Sequence, residues 1–148
     1  MSMVPKSSFA TTLLVRDSCL CLHVQRAARA LARRFDDAFR PVGLTNGQFS
    51  LMMSLNRPEP PGMAALASLL AMDRTTLTAA LKPLQHRALL EIMVDPADGR
   101  ARLMTLTPKG RRLLARAVLI WESTHLAVEG LLGDRKPERL RNDLRALS

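Results

Sequence analysis

The chain places Cys19, Cys21 and His23 within one five-residue stretch, Cys19-Leu20-Cys21-Leu22-His23. Thiols and an imidazole at this spacing suggest two chemistries, metal ligation and redox sensing. Metal ligation is disfavoured by geometry. On a helix, residues two apart diverge by about 200°, so Cys19 and Cys21 do not share an ion. Cys19 and His23, four apart, share a face, but two ligands from one helix do not complete a zinc site, and no metal is expected. Redox sensing fits better, because cations beside a thiol favour the reactive thiolate, and Arg26 and Arg29 follow closely. Against it stands a plainer role for both cysteines as small apolar residues of a packed helix.

Catalysis finds less support. The three histidines, His23, His86 and His125, lie in no nucleophile elbow, Gly-rich phosphate loop or metalloprotease spacing, and no cofactor motif is present. No enzyme is expected. Two cysteines in 148 residues form no disulfide framework, which points to a reducing, cytoplasmic setting. The segment from Met1 to Ala10 lacks the apolar core of a signal peptide, and no run of about 18 apolar residues occurs, so no membrane partner is expected.

The elements that position the remaining chemistry follow from periodicity. Val24, Ala27, Ala28, Leu31, Phe35, Ala38 and Phe39 recur at steps that predict one long helix from about Thr12 to Arg40, stopped by Pro41 and Gly43. Thr45 or Asn46 caps a short helix carrying Phe49, Leu51, Met52, Met53 and Leu55. Arg57-Pro58-Glu59-Pro60-Pro61-Gly62 must be a loop, and Met63 to Leu70 a third helix. Asp73 caps a fourth, from Arg74 to about Ala88, with Leu77, Leu81 and Leu84 inward. The period then becomes two. Leu90, Ile92 and Val94 alternate, Asp95 to Arg100 reads as the turn, and Leu103 and Thr105 alternate again, which predicts a hairpin. Thr107-Pro108 starts a second long helix, with Leu113, Ala117, Ile120, Trp121, Thr124, Val128 and Leu131 on one side, ended by Gly133. Pro137 to Leu147 makes a last helix with Leu140, Leu144 and Leu147 inward.

Three short helices and then a hairpin is the order of a winged helix-turn-helix. The predicted fold is mainly α with a small β-hairpin wing, one domain over 1–148. A winged lobe at 44–106 stands between the helical segments 12–40 and 107–147. A net charge of +9 points to a polyanionic partner, nucleic acid before membrane. The charge is uneven: 1–41 carries 7 basic and 3 acidic residues, 42–106 carries 6 and 5, and 107–148 carries 9 and 5. The DNA argument therefore rests on placement. With Leu77 inward, Thr75, Thr78, Ala79, Lys82 and His86 face outward, where a major groove would receive them. Arg74 lies in the first helical turn, where free N–H groups favour phosphate, and Arg100 at the hairpin tip suits a narrow minor groove. The alternative is a winged-helix protein-interaction module without specific DNA binding, which a flat response to salt would reveal.

The stretches "RPVGLTNGQFSLMMSL", "LASLLAMDRTTLTAALKPLQHRALLE" and "DPADGRARLMTLTPKGRRLL" resemble the multiple-antibiotic-resistance regulator (MarR) family of bacterial transcription factors. The similarity spans about Val24 to Leu131. It implies a homodimer held by the first, fifth and last helices and bound to pseudo-palindromic double-stranded operator DNA, usually to repress. It also implies that Arg74, Thr75, Thr76 and Thr78 lie nearest DNA and that the wing is Asp95 to Arg102. Within it, Asp98 orients a neighbouring Arg, and Gly99 serves the turn. Many members carry a basic residue where this chain has Ala79-Ala80, which shifts the expected affinity toward Lys82, Arg87, Arg100 and Arg102. Pro83 removes one N–H from the same helix and is expected to bend it. Cys21, eight residues before Arg29, is similar to the reactive cysteine of the family's hydroperoxide-sensing branch, although the chain has no Tyr. The resemblance further implies a small aromatic or lipophilic acid as ligand, for which His23, Phe49, Met52, Met53 and Trp121 are the candidate lining.

Overall fold

The computed structural model describes residues 7–148, so the first six residues, where the segment examined for a signal peptide begins, lie outside the described residues. Seven α-helices and two strands follow in the order α1 (Phe9–Ser18), α2 (Leu20–Phe39), α3 (Asn46–Leu55), α4 (Met63–Leu70), α5 (Arg74–His86), β1 (Leu90–Asp95), β2 (Asp98–Leu106), α6 (Pro108–Gly130) and α7 (Pro137–Ala146). Among the described residues no helix is long and apolar enough to cross a membrane.

The single long helix expected from Thr12 to Arg40 is two helices. Cys19 is extended, with φ −71° and ψ 109°, and ends α1 while capping α2. Its Sγ accepts from the Leu22 N–H at 3.4 Å, and its carbonyl contacts His23 Nδ1 at 2.8 Å. Local partners thus replace the helical bonds lost at the break, which a periodicity of apolar residues does not register. The other end of α2 follows expectation. A short 3₁₀ turn, Arg40–Val42, leads to Gly43 at φ +68°, where a side chain would be strained.

Capping explains the next three helices. The Thr45 side chain accepts from the Gln48 N–H, and the Gln48 side chain accepts in return from the Thr45 N–H at 3.0 Å. Ala71, at φ +52°, closes α4, and Asp73 opens α5 two residues later. Asp73 Oδ1 accepts from the Thr76 N–H at 2.7 Å and Oδ2 from the Thr76 hydroxyl at 2.8 Å. The first of these bonds, followed by the second, holds the Asp73 carboxyl below its ordinary range. Leu77, Leu81 and Leu84 are buried as expected, in a core shared with Phe39, Phe49, Met52, Leu55 and Leu66.

The hairpin forms, but its faces and turn differ from expectation. Leu90 pairs with Leu106 and Ile92 with Met104, so Met104 and Leu106 are the buried residues of β2, not Leu103 and Thr105. With a period of two, a shift of one residue exchanges the faces of the whole strand. The tight turn is Pro96-Ala97, with Asp95 Oδ1 accepting from the Ala97 N–H at 2.9 Å. Gly99 therefore belongs to β2, and a Cβ there would meet nothing within 4 Å. The Pro-rich loop contributes an unexpected pairing, a bridge of Gly62 with Leu103 and a 3.2 Å bond from the Met104 N–H to the Pro61 carbonyl.

Two expectations about inward leucines fail. α7 buries no residue, Leu140 and Leu144 being 43% exposed and Leu147 61%, and Leu131 is exposed as well. Among the described residues that face of α7 is left largely uncovered.

Gly110, in the first turn of α6, lies so close to the Leu89 carbonyl that a Cβ would collide with backbone. Gly110→Ala should lower stability by about 1–3 kcal/mol in urea unfolding, whereas Gly47→Ala, with open space around it, should not. Asp73→Ala should speed amide exchange of Thr75 to Leu77. Because the Asp73 carboxyl is depressed in the folded state, its contribution is complete at neutral pH and disappears as pH falls through that depressed value. The difference between wild type and variant should therefore close in acid.

Candidate nucleic-acid interface

The winged lobe presents one face of α5 to solvent. Arg74, Thr75, Thr78, Ala79 and Lys82 line one open groove of about 340 Å³, all of them exposed, with Leu77 and Leu81 buried behind them. The residues read as outward-facing thus form a continuous surface joined by Arg74. His86 lies beside Lys82 in the neighbouring depression, with Pro83 and Gln85. Pro83 sits inside α5, which continues to His86.

Hydrogen bonding separates the threonines by role. Thr76 is committed to Asp73 through both its N–H and its hydroxyl. Thr78 donates its hydroxyl to the Arg74 carbonyl at 2.8 Å. Thr75 has no side-chain partner among the described residues and keeps both donor and acceptor capacity outward. Arg87 is not part of the groove. It is partly buried, and its Nη1 donates to the Gly43 carbonyl at 2.8 Å, clamping the end of α5 to the turn before α3. That contact between residues far apart in sequence left no local signal.

In the wing, Asp98, Gly99, Arg100 and Arg102 are all exposed. Asp98 Oδ1 accepts from the Arg100 backbone N–H at 3.0 Å, so it shapes the strand entry and does not hold a guanidinium. Arg102 Nη1 donates to the carbonyls of Gly99 and Ala101, each at 3.2 Å. The Arg100 side chain has no partner among the described residues. None of Arg74, Lys82, Arg100 and Arg102 has a carboxylate within ion-pair distance among the described residues.

The root of the wing is fixed by the segment after it. The Thr107 hydroxyl donates to the Ala88 carbonyl at 2.6 Å, its N–H to the Leu89 carbonyl at 3.1 Å, and Lys109 Nζ to the Arg87 carbonyl at 3.0 Å. On the opposite side, Asp36 of α2 accepts at Oδ1 from both the backbone N–H and the side-chain amide of Asn46, at 2.7 and 2.8 Å. The backbone bond comes first among the causes that hold the Asp36 carboxyl below its ordinary range.

The five residues proposed to line a ligand cleft do not converge. Phe49 and Trp121 share a cavity of about 220 Å³ with Leu31, Phe35, Phe39, Asn46 and Ser50. Met52 is fully buried in the core, Met53 faces a different depression beside Arg57 and Leu69, and His23 lies in a groove on α2 with Arg26, Arg29 and Arg33. Spacing along α3 does not distinguish Phe49 from its methionine neighbours, but the contacts of α2 do: Phe39 stacks on Phe49 with ring centroids 4.6 Å apart. Cys19 is partly buried at the helix junction and Cys21 is exposed, its Sγ accepting from the Gln25 amide at 3.4 Å. Among the described residues no three His, Cys, Asp or Glu side chains are grouped to hold a metal.

Comparison with known proteins gives this geometry its context. Residues 44–110 match the winged helix DNA-binding domain family. The transcriptional regulator MosR of M. tuberculosis, crystallised in complex with DNA, is 37% identical. The match covers 88% of this chain and 93% of that one, with a TM-score of 0.80. The transcriptional repressor CouR, bound to a 23-mer DNA duplex, is 26% identical over 99% of both chains, also at TM-score 0.80. The transcriptional regulator HosA of Escherichia coli O111:H- is 31% identical over 97 residues, 64% of this chain and 70% of HosA. With its helical fold, its hairpin wing and these relatives, the chain belongs to the MarR family of winged-helix DNA-binding transcriptional regulators, a family that is not enzymatic.

Proposed function

We propose that the protein is a homodimeric repressor that reads a pseudo-palindromic operator with α5 in successive major grooves and the wing in the flanking minor groove. The observation that carries this reading is the solvent-facing row of Arg74, Thr75, Thr78 and Lys82 above a fully buried leucine stripe. A helix so held offers base-edge and phosphate contacts without disturbing its own packing. Thr76 supports the row through the cap, and Arg87 supports it by clamping the helix end. Arg100 is the reader in the minor groove, with Arg102 and Asp98 shaping the strand that carries it.

Dimerisation is supported by apolar surface that one chain leaves uncovered. Phe9, Leu20, Leu119, Leu126, Leu144 and Leu147 are all exposed, at 74%, 68%, 67%, 72%, 43% and 61%. They lie on α1, α2, α6 and α7 or, for Leu147, at the end of α7, all outside the winged lobe, and a second copy would bury them. Two α5 helices then reach half-sites about 34–36 Å apart, one helical turn of DNA.

Relief of repression is assigned to a small aromatic acid in the cavity between Phe49 and Trp121. At about 220 Å³ it accepts a single ring and is small beside the roughly 300–1,000 Å³ of most ligand sites. A second reading is favoured by the exposure of Cys21. A hydroperoxide would oxidise its thiol to the sulfenic acid and be reduced to the alcohol, beside the Cys19 junction that orients α1.

If Arg74, Lys82, Arg100 and Arg102 each meet one phosphate per subunit, about eight counterions are released and the log–log salt slope is about −7. A slope near zero on a duplex from the gene's own upstream region would sink this reading. Arg100→Ala should weaken binding about tenfold and flatten the salt slope by about 2, one contact per subunit, with an unchanged unfolding midpoint. Leu144→Glu should shift sedimentation from dimer to monomer. Cys21→Ser should abolish any release from DNA by cumene hydroperoxide, and release that survives the substitution removes Cys21 from the mechanism.

A further inference from the structure

α7 is joined to the rest of the chain by unusually little. It buries no residue, and the bond from Arg141 Nη1 to Glu129 Oε1, at 2.8 Å, is the one side-chain hydrogen bond between α6 and α7 among the described residues. Arg141 is itself oriented from the other side, its Nε and Nη2 donating to Glu138 Oε2 at 3.0 and 2.9 Å. The same Glu129 oxygen that receives Arg141 also meets His125 Nε2 at 3.0 Å. His125 in turn lies flat on Trp121, ring centroids 4.7 Å apart and planes within 10°. Trp121 is a wall of the cavity beside Phe49. One line of contacts therefore runs from the cavity wall through His125, Glu129 and Arg141 to the last helix.

We propose that His125 is a proton-operated latch, which as imidazolium fastens Glu129 and the Trp121 indole together and so steadies α7, and as neutral imidazole loosens it. The groups facing His125 give the sign. On its own helix it meets the π face of Trp121 and the Glu129 carboxylate, both of which attract a cation. From α7 it meets Arg141, which repels a cation but is separated from it by the shared carboxylate and balanced by Glu138. On their other side, the residues of α2 and α3 that share the Trp121 cavity, Leu31, Phe35, Asn46 and Ser50, carry no charge.

Glu129 and Glu138 are each held below the ordinary carboxylate range, first by Arg141 and then by further hydrogen bonds, so both stay ionised through the mildly acidic and neutral range. The latch is closed while His125 carries its proton and opens when the proton leaves. His125 and Glu129 side chains are each about one-third exposed, 33% and 31%, so the effect is that of a partly solvated ion pair.

Trp121 is the only tryptophan, which makes the latch visible without a label. The intact protein would be titrated from pH 5.5 to 8.5, following tryptophan fluorescence and, after correction for intrinsic rates, amide exchange of Arg139 to Leu144. Fluorescence should follow a single transition, and α7 should exchange about threefold more slowly at the acid end, the factor expected of one solvated ion pair. In His125→Gln, which keeps a side-chain donor but cannot take up a proton, both signals should be flat. Arg141→Gln should keep the fluorescence transition and lose the pH dependence of exchange. A transition that persists in His125→Gln, or α7 exchange that does not vary with pH in the unaltered protein, overturns the proposal.

Discussion

The placement of the outward-facing helix depends on one seam, where the chain leaves α5, turns through Ala88 and Leu89, and is met again by the start of α6. Gly110 is pressed against the Leu89 carbonyl, and Thr107 satisfies the carbonyls of Ala88 and Leu89 while its hydroxyl oxygen caps α6 through the Gly110 N–H at 3.0 Å. Ala88 adopts φ +57° to make the turn, a conformation that a larger or branched side chain would resist. Everything outside the seam inherits its geometry. The hairpin grows from Leu90 on one side, and the long α6 leaves on the other, so the wing and the long helix are both anchored at the end of α5. Asp36 and Asn46 make the corresponding joint at the other edge of the lobe.

Charge follows the same logic of local placement. The central segment is close to neutral, yet its cations and anions do separate tasks. Asp73 and Asp98 spend their oxygens on backbone N–H groups, and Asp95 does the same in the turn. Arg74, Lys82 and Arg100 are left without carboxylate partners among the described residues. The ion pairs cluster elsewhere, on α6 and α7 above all, where Glu129, Glu138, Arg141 and Arg145 neutralise one another. A segment of small net charge can therefore present a cationic face, because Asp73, Asp95 and Asp98 are tied to backbone N–H groups while Arg74, Lys82 and Arg100 are not tied to carboxylates.

Much of this was legible in the sequence, and the failures have a common cause. Helices α3, α4 and α5 were readable to within a residue or two because their signals are local: the Thr45 and Asp73 caps, the Pro-rich loop, and leucines at helical spacing. The errors arose where a distant contact decides. The inward face of β2 is set by pairing with β1 and with Gly62, so neither alternation nor the Asp-Gly pair could fix it. The bond from Arg87 to the Gly43 carbonyl joins residues far apart in sequence, and no local pattern announces it. Phe49, Met52 and Met53 read alike along α3 and were sorted only by what α2 and α4 lay against them. The leucines of α7 read as inward but are exposed, because periodicity marks a stripe without saying what lies against it.

The internal bond of Thr78 also constrains what α5 can say to DNA. A hydroxyl has a single proton, and here it is given to the Arg74 carbonyl. Toward solvent the side chain presents lone pairs alone. Adenine and cytosine display an exocyclic amino group in the major groove, whereas guanine and thymine display acceptors. A base edge that met this oxygen would therefore have to supply the proton, a requirement set by the helix's own backbone.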